Sequence, residues 1–419
     1  MCSKCGGNSL FMLFNSLTRR LEKFQSDEPK KVKMYTCGPS IYLLPHIGNY
    51  RTFLYEDILN RYLEYLGYDV ERALNVTDVE DKAIAEAEKE GTTLKELTER
   101  NTKVFLAELQ KLSAKMPTRF PKSSTSVEQA VSIIQTLLKK GYAYWHDGNV
   151  YFDPLKFKDF GKLYGLDMKR WPKEKRRFHK DTYPGNRWNL GDFILWHGYH
   201  ESDKTYWDTS LGKGRPAWNL QDPAMVSQSL GYRVDVYCGG VDNLVRHHDY
   251  VKAIMESLTG EQFARIWLHG EHLFVDGKKM SKSRGNIIYP KDLVECGCQW
   301  QHIRFFLING YYRKRLNYTH KKFKVACDRL HEFKDMVDKL QRMRTSTSSQ
   351  RAKKLIDALR ENFEENMNND LHVKKAFNAI FTIVSKLAAL EERDKVSRQD
   401  AEEAIAVLKN LDRVLQVIF

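Results

Sequence analysis

The sequence predicts an α/β fold in which a parallel sheet is split by an inserted region and followed by a C-terminal helical bundle. The chain has 419 residues, of which 42% are hydrophobic and 12% aromatic, so it can form several packed units rather than one ordinary core. Near the N-terminus, strand and helix patterns alternate twice. Strand patterns return at residues 233–240, and a long helical region follows.

The first unit alternates strands with helices. Residues 32–39 form a short apolar strand that ends in a Gly-Pro breaker, and residues 48–66 carry apolar side chains at helical spacing. A second strand is predicted for residues 69–75, and a second helix begins near residue 79. Strands connected through helices in this way favour a parallel sheet.

Residues from about 100 to 200 are expected to be inserted between the two halves of this sheet. Two helices over residues 98–140 are broken near Pro117 and Pro121, and a β-hairpin is predicted around Asp147-Gly148. Residues 169–180 form a basic run with aromatic residues between the charges. Such a run is usually a solvated surface, although it can also follow a phosphate backbone.

The second half of the sheet is predicted at residues 233–240 and 265–275. From residue 289 onward the pattern becomes helical. A polar linker occupies residues 345–350, and two or three amphipathic helices are expected over residues 351–419.

The charge and the cysteines restrict the class of protein. A formal net charge of +14 favours polyanionic partners, nucleic acid above all. No apolar run approaches the roughly 18 residues of a membrane span, and the N-terminus lacks the layout of a signal peptide, so we expect a cytoplasmic protein with no membrane partner. Seven cysteines indicate reduced thiols rather than a disulfide framework. The close pairs at residues 2 and 5 and at residues 296 and 298 are interpreted as ordinary thiols.

Two short motifs carry the chemistry. Residues 45–49 (Pro-His-Ile-Gly-Asn) lie between the first strand and its helix, and residues 279–283 (Lys-Met-Ser-Lys-Ser) lie in a loop after a later strand. A neutral histidine at a helix N-terminus, beside a glycine that lets phosphate approach the backbone, suits the α-phosphate of ATP. A mobile loop with two lysines can hold the β- and γ-phosphates and the leaving pyrophosphate. Together the motifs predict ATP-dependent activation of a carboxylate.

The chain resembles the class I aminoacyl-tRNA synthetases, and among them cysteinyl-tRNA synthetase, over about residues 10 to 419. The resemblance includes further segments spread along the chain in order: residues 34–42, 75–82, 149–153, 191–193, 214–218, 239–242 and 267–270. It implies a Rossmann-type catalytic domain that forms an aminoacyl adenylate. It also implies ATP with Mg²⁺, an amino acid and a tRNA as partners, and we expect a monomer.

The resemblance implies roles for individual residues. ATP would be bound by His46, Gly48, Asn49, Gly240, Asp242 and Lys282. Catalysis would depend on His46, Lys279 and Lys282 through positioning and electrostatics, without a nucleophilic side chain. The amino-acid pocket would be lined by Cys37, Tyr42, Thr77, Trp218 and Asp222.

The expected domains follow from the resemblance and the patterning. They are an N-terminal extension (1–30), the first half of the catalytic domain (31–100), an inserted connective region (101–205), the second half with the lysine loop (206–290), a stem-contact helical region (291–344) and a helical bundle (345–419).

The sequence departs from the family where zinc would bind. The family implies Cys, Cys, His and Glu as zinc ligands that recognise the thiol of cysteine. Cys37 and His247 match, but Asp222 replaces the second Cys and Val251 replaces the Glu. Since valine cannot ligate zinc, we expect zinc to be absent or weakly held, with Cys238 or His248 as conceivable substitutes. Cysteine is then not expected to be the best substrate.

Three functions stay open. The leading one is transfer of the activated amino acid to a tRNA acceptor end, supported by the net charge, the run at 169–180 and the basic cluster at 311–315. Members of the family usually continue with a small anticodon-binding domain, so either this sequence is trimmed or the protein does not read an anticodon. The second case favours the alternative of a ligase that acylates a small amine, as a mycothiol-pathway ligase does. A non-catalytic RNA-binding paralogue is least favoured because both motifs are intact.

Overall fold

The computed structural model describes residues 10–166, 192–342, 345–391 and 395–419. The basic run at 169–180 and the cysteines at positions 2 and 5 lie outside these ranges. The strands are β1 (Met12–Asn15), β2 (Arg20–Lys23), β3 (Lys31–Thr36), β4 (Asp69–Leu74), β5 (Ala143–His146), β6 (Asn149–Phe152), β7 (Phe193–Gly198), β8 (Trp207–Thr209), β9 (Gly212–Pro216), β10 (Val234–Gly240), β11 (Ala264–Gly270), β12 (Leu273–Val275), β13 (Lys278–Lys279) and β14 (Leu316–Tyr318). The α-helices are α1 (Ile47–Tyr65), α2 (Asp81–Glu90), α3 (Leu94–Lys111), α4 (Val127–Lys139), α5 (Trp218–Leu230), α6 (Asp249–Thr259), α7 (Pro290–Glu295), α8 (Trp300–Ile308), α9 (His320–Gln341), α10 (Gln350–Asn368), α11 (Val373–Glu391) and α12 (Arg398–Leu415).

The central sheet is parallel, which confirms the predicted fold class. Its strand order is β11-β10-β3-β4, and every neighbouring pair is parallel. Most residues of these four strands are buried, as expected for a parallel sheet that is packed between helices. The chain leaves β3 toward β4 on one side, whereas β10 lies on the other side. A crevice therefore opens at the carboxyl ends of β3 and β10, where doubly wound sheets bind ligands.

The inserted region forms a sheet of its own between the two halves of the central sheet. Its strand order is β5-β6-β7-β9-β8, and all pairs are antiparallel. The predicted turn at Asp147-Gly148 is present, with φ angles of 45° and 74° that suit a tight hairpin. This sheet extends to Pro216 at the end of β9. The domain boundaries placed from the sequence stay predictions.

Helix α1 connects the central sheet to the C-terminal helices. Its apolar side chains at helical spacing, including Leu54, Ile58 and Leu59, are buried in the largest apolar cluster of the protein. Asp57 points to the other side and pairs with the fully buried Arg304 of α8 at 2.7 Å. The guanidinium of Arg304 also donates to the carbonyls of Leu112 and Leu415, so one side chain joins α1, the end of α3 and the end of α12.

The last four helices, α9 to α12, pack on one another and on α1, as the apolar periodicity predicts. The polar linker ends at Ser349, whose hydroxyl caps α10 by accepting from the amide of Ala352 at 3.2 Å. Within the residues that the structure describes, no helix has both the length and the apolar character needed to cross a bilayer.

Candidate active site

His46 caps the N-terminus of α1 at the mouth of the crevice. Its Nδ1 accepts hydrogen bonds from the backbone amides of Gly48 and Asn49, at 3.1 and 3.3 Å, and the side chain of Asn49 accepts from the amide of His46. Burial lowers the pKa of His46 below its usual value and outweighs the attraction of Asp242, so the ring is neutral at pH 7. Because Nδ1 is an acceptor, the proton of the neutral ring is on Nε2, which is therefore a hydrogen-bond donor.

The lysine motif lies on a hairpin that is built by its turn. Strand β12 pairs with β13 through Asp276-Gly277, whose φ angles are 48° and 75°. Beyond β13 the loop is fastened to itself, since the side chain of Asn286 accepts from the amide of Ser281 and donates to the carbonyl of Lys279. Lys279 and Lys282 are both exposed, so their ammonium groups are free to meet a ligand.

Gly48 and Met280 bring the two motifs into direct contact. A methyl group placed at the Cα of Gly48 would lie 2.7 Å from the terminal carbon of Met280 and 3.0 Å from Cε1 of His46. Both distances are shorter than van der Waals contact. The flexible end of Met280 can move aside, but the ring of His46 is held by its cap hydrogen bonds, so glycine keeps this contact free of strain. The ATP-binding role expected of Gly48 stays a prediction, because its amide donates to His46 and its Cα faces Met280.

Two adjoining cavities occupy the crevice. The larger, of about 500 Å³, lies between the two motifs and is lined by His46, Asn49, Tyr42, Lys282 and Glu80, among others. The smaller, of about 180 Å³, lies deeper and is lined by Cys37, Thr77, Gly240 and His247, among others. Six residues line both cavities, which makes the two spaces continuous: Pro39, Ser40, Asn49, Trp218, Asp242 and Asn243.

Of two acidic residues that line the larger cavity, Asp242 was expected from the sequence and Glu80 was not. Asp242 lines both cavities, and a methyl group at Gly240 would lie 2.5 Å from its carboxylate, so the glycine makes room for it. Glu80 was not singled out from the sequence. It accepts from Ser40 at 3.1 Å, and burial raises its pKa.

At the closed end of the smaller cavity, Cys37, Asp222 and His247 meet. Nε2 of His247 lies 3.6 Å from the sulfur of Cys37 and 3.0 Å from Oδ2 of Asp222. The indole of Trp218 stacks on the His247 ring with centroids 4.2 Å apart. Burial, followed by the charge of Asp222, raises the pKa of Cys37 well above its usual value. Without a cation this thiol is neutral at pH 7.

Asp222 lies behind the cavity wall rather than in it. The residue is 1% exposed, and its carboxylate accepts from Asn75 at 3.3 Å and from the hydroxyl of Tyr237 at 2.8 Å, in addition to its contact with His247. Burial alone raises the pKa of Asp222, but the charge and hydrogen bond of His247, and then that of Tyr237, outweigh it and hold the pKa below its usual value. Both carboxylate oxygens of Asp222 thus contact side chains of the protein.

Sequence reasoning missed the partners that hold this cluster. Asn75 directly follows β4 and Tyr237 lies in β10, two strands that β3 separates in the sheet, so only the strand order shows that their side chains converge on Asp222. His248 was named only as a conceivable substitute, yet one of its ring nitrogens, the sulfur of Cys37, a carboxylate oxygen of Asp222 and a ring nitrogen of His247 all lie within 4.8 Å of one another. Val251 is fully buried in an apolar cluster, as expected for a residue that has no polar role.

The cluster at residues 311–315 is mostly bound into the fold. The hydroxyls of Tyr311 and Tyr312 both donate to Asp370, and Arg313 pairs with the same carboxylate at 3.2 Å. Arg315 pairs with Glu271 at 3.0 Å. Most side chains of the cluster therefore have partners within the protein, and the cluster is a weaker argument for tRNA binding than the sequence suggested.

Comparisons with known proteins agree with this geometry. The family described as tRNA synthetases class I (C) catalytic domain matches residues 23–328. The cysteine--tRNA ligase of Leptospira interrogans is 35% identical over 97% of this chain and 86% of its own length. That of Chlamydia pneumoniae is 37% identical with the same coverage.

A solved structure of Mycobacterium tuberculosis methionyl-tRNA synthetase with methionyl-adenylate superposes with a TM-score of 0.65, covering 93% of this chain and 90% of that one. Its 16% identity shows a shared fold alone. The family match and the two relatives identify the family itself. The chain belongs to the class I aminoacyl-tRNA synthetases and is an adenylate-forming ligase of the cysteinyl-tRNA synthetase type.

Proposed function

We propose that the protein activates an amino acid with a small side chain as its adenylate and transfers it to the acceptor end of a tRNA. One observation carries the proposal: the histidine motif and the lysine motif line a single cavity that adjoins a smaller one. The larger cavity has room for a nucleotide, and the smaller one limits the size of the amino-acid side chain.

The mechanism depends on positioning and electrostatics. Nε2–H of neutral His46, at the positive end of α1, is suited to donate to an oxygen of the α-phosphate. Lys282 lies across the same cavity and is suited to stabilise the charge that develops on the leaving pyrophosphate. ATP enters as its Mg²⁺ complex. Asp242 is placed where both cavities meet, which suits the hydroxyls of the ribose.

Pyrophosphate exchange across a panel of amino acids tests the proposal. We expect ATP–pyrophosphate exchange that depends on one or a few small amino acids, because the smaller cavity, of about 180 Å³, has little room for a large side chain. The panel includes cysteine, serine, alanine, threonine and a set of large residues as controls. Exchange that is absent for every amino acid, or that is fastest for a large aromatic one, would contradict the proposal.

Transfer to a small amine is the second candidate, because the internal contacts of residues 311–315 leave this cluster as a weaker argument for tRNA. If tRNA is the acceptor, its affinity should fall at least about tenfold between roughly 50 and 200 mM salt, because Lys and Arg contacts release counterions. Filter binding measures this slope, and ribonuclease-sensitive precipitation of labelled amino acid measures the transfer. A chain that binds no tRNA at low salt, yet releases label onto a primary amine, would establish the second candidate instead.

A further inference from the structure

We propose that the closed end of the amino-acid cavity is a zinc site in which His248 is a ligand, together with Cys37, Asp222 and His247. The position that aligns with the family's glutamate is Val251, which is buried among apolar side chains and has no ligand to offer. The replacement therefore comes from three residues earlier in the chain. The proposal concerns the metal alone and holds whichever amino acid or acceptor the enzyme uses.

The donor set is the first reason. One ligating atom from each of the four side chains lies within 4.8 Å of the others, and all four side chains are at least largely buried. A thiol, a carboxylate and two imidazoles are donors that zinc accepts in tetrahedral sites. A single nitrogen of His247 is close to both the sulfur of Cys37 and the carboxylate of Asp222, and one N–H can satisfy these two acceptors only by sharing.

An orphaned atom is the second reason. Nε2 of His248 is buried and has no hydrogen-bond partner among the described residues. Its other nitrogen, Nδ1, lies 2.8 Å from Nε2 of His269, and Nδ1 of His269 lies 2.8 Å from the hydroxyl of Ser16. If each of these two histidines donates a hydrogen bond from Nδ1, Nε2 of His248 carries no proton and has a free lone pair. A bound cation would select that tautomer and satisfy the atom.

The supporting groups are the third reason. Zinc ligands are normally held by outer hydrogen bonds. Asn243 contacts the sulfur of Cys37 at 3.5 Å, and Asn75 and Tyr237 hold Asp222. The backbone also makes room for the new ligand, because a methyl group at Gly239 would lie 2.5 Å from Cε1 of His248.

Zinc content and affinity test the site without any activity assay. The full-length chain is loaded with zinc alone, dialysed against a mild chelator and analysed by mass spectrometry. We expect about one zinc per chain for the native protein, and His248→Ala should weaken zinc binding by at least about tenfold. His320→Ala is the matched control, since His320 is an exposed histidine at the start of α9. In the cobalt(II) form, Cys37→Ser should abolish the thiolate-to-metal absorption.

His248→Cys keeps a zinc donor at the same position and guards against a folding defect in the alanine variant. It should retain zinc and show a zinc-dependent rise in melting temperature like that of the native chain. A native chain that holds no zinc after loading would overturn the proposal, as would His248→Ala that binds zinc as tightly as the native chain. A His248→Cys variant that folds but holds no zinc after loading would overturn the proposal too. Zinc binding in a chain without exchange activity would leave this inference standing while the proposed function failed.

Discussion

Lys282→Ala is expected to lower amino-acid-dependent pyrophosphate exchange by at least about 10²-fold, which corresponds to about 2.7 kcal/mol of lost transition-state stabilisation. Lys282 is exposed on the loop after β13 and lines the cavity opposite His46. Its charge is available to the phosphates of ATP and is needed most when pyrophosphate leaves. The loss should therefore fall mainly on the rate constant of activation, measured in single-turnover experiments, rather than on the binding of the amino acid.

Lys278→Ala provides the matched control for this variant. Lys278 is an exposed lysine of the same hairpin, and it is not among the described residues that line the larger cavity. Its removal should change exchange by less than about threefold. Equal losses in the two variants would mean that the loop acts through its overall charge, and an unchanged rate for Lys282→Ala would refute the assignment of this loop to phosphate binding.

The second large effect is expected on stability, from Arg304→Ala. Arg304 is fully buried, and its guanidinium donates to Asp57 and to two backbone carbonyls. Removing it leaves a buried carboxylate without its strongest partner, which should destabilise the fold by about 3 kcal/mol or more. Urea unfolding followed by circular dichroism measures the change. Arg398→Ala is the control, since it breaks an exposed pair with Glu402 and should change stability by less than about 0.5 kcal/mol.

The same pair predicts a dependence on pH. Burial raises the pKa of Asp57, but the charges of Arg304 and then Arg61 outweigh it and hold the pKa below its ordinary value of 3.8. Because the folded chain binds this proton less readily than the unfolded chain, the stabilisation is complete above pH 3.8 and is lost as the pH falls through the lower, folded-state pKa. The difference in urea midpoint between the native chain and Arg304→Ala should therefore shrink below pH 3.8. A difference that grows with acid would contradict the pairing.

The sequence was sufficient to predict the parallel sheet and the approximate positions of the two motifs relative to its strands. The strand at residues 69–75 and the helix at residues 48–66 were predicted from local sequence patterns, and both elements are present in the structure. The Asp147-Gly148 hairpin also follows from local backbone chemistry. These predictions were reliable because the interactions that decide them are close along the chain.

Long-range partners could not be predicted in the same way. The burial of Asp222 behind the cavity wall depends on Asn75 and Tyr237, which approach it only after three segments have come together. The expectation of a metal-free pocket counted Val251 as a lost ligand and gave little weight to His248, whose orientation is set by a π-helical turn at Leu244–His248 and by His269. The expectation that cysteine is not the best substrate depends on that metal-free pocket, so the amino-acid panel and the zinc measurement test it together.

The contact between Gly48 and Met280 has a consequence for how this enzyme can vary. Two positions that are far apart in sequence share one small volume, and a methyl group added to the first would overlap the second. The effect of a substitution at either position therefore depends on the residue at the other. A larger residue at 48 would have to displace the flexible end of Met280, so its cost is expected to depend on how far the residue at 280 can move aside. The two motifs are thus coupled sterically at this contact as well as through the cavity that both line.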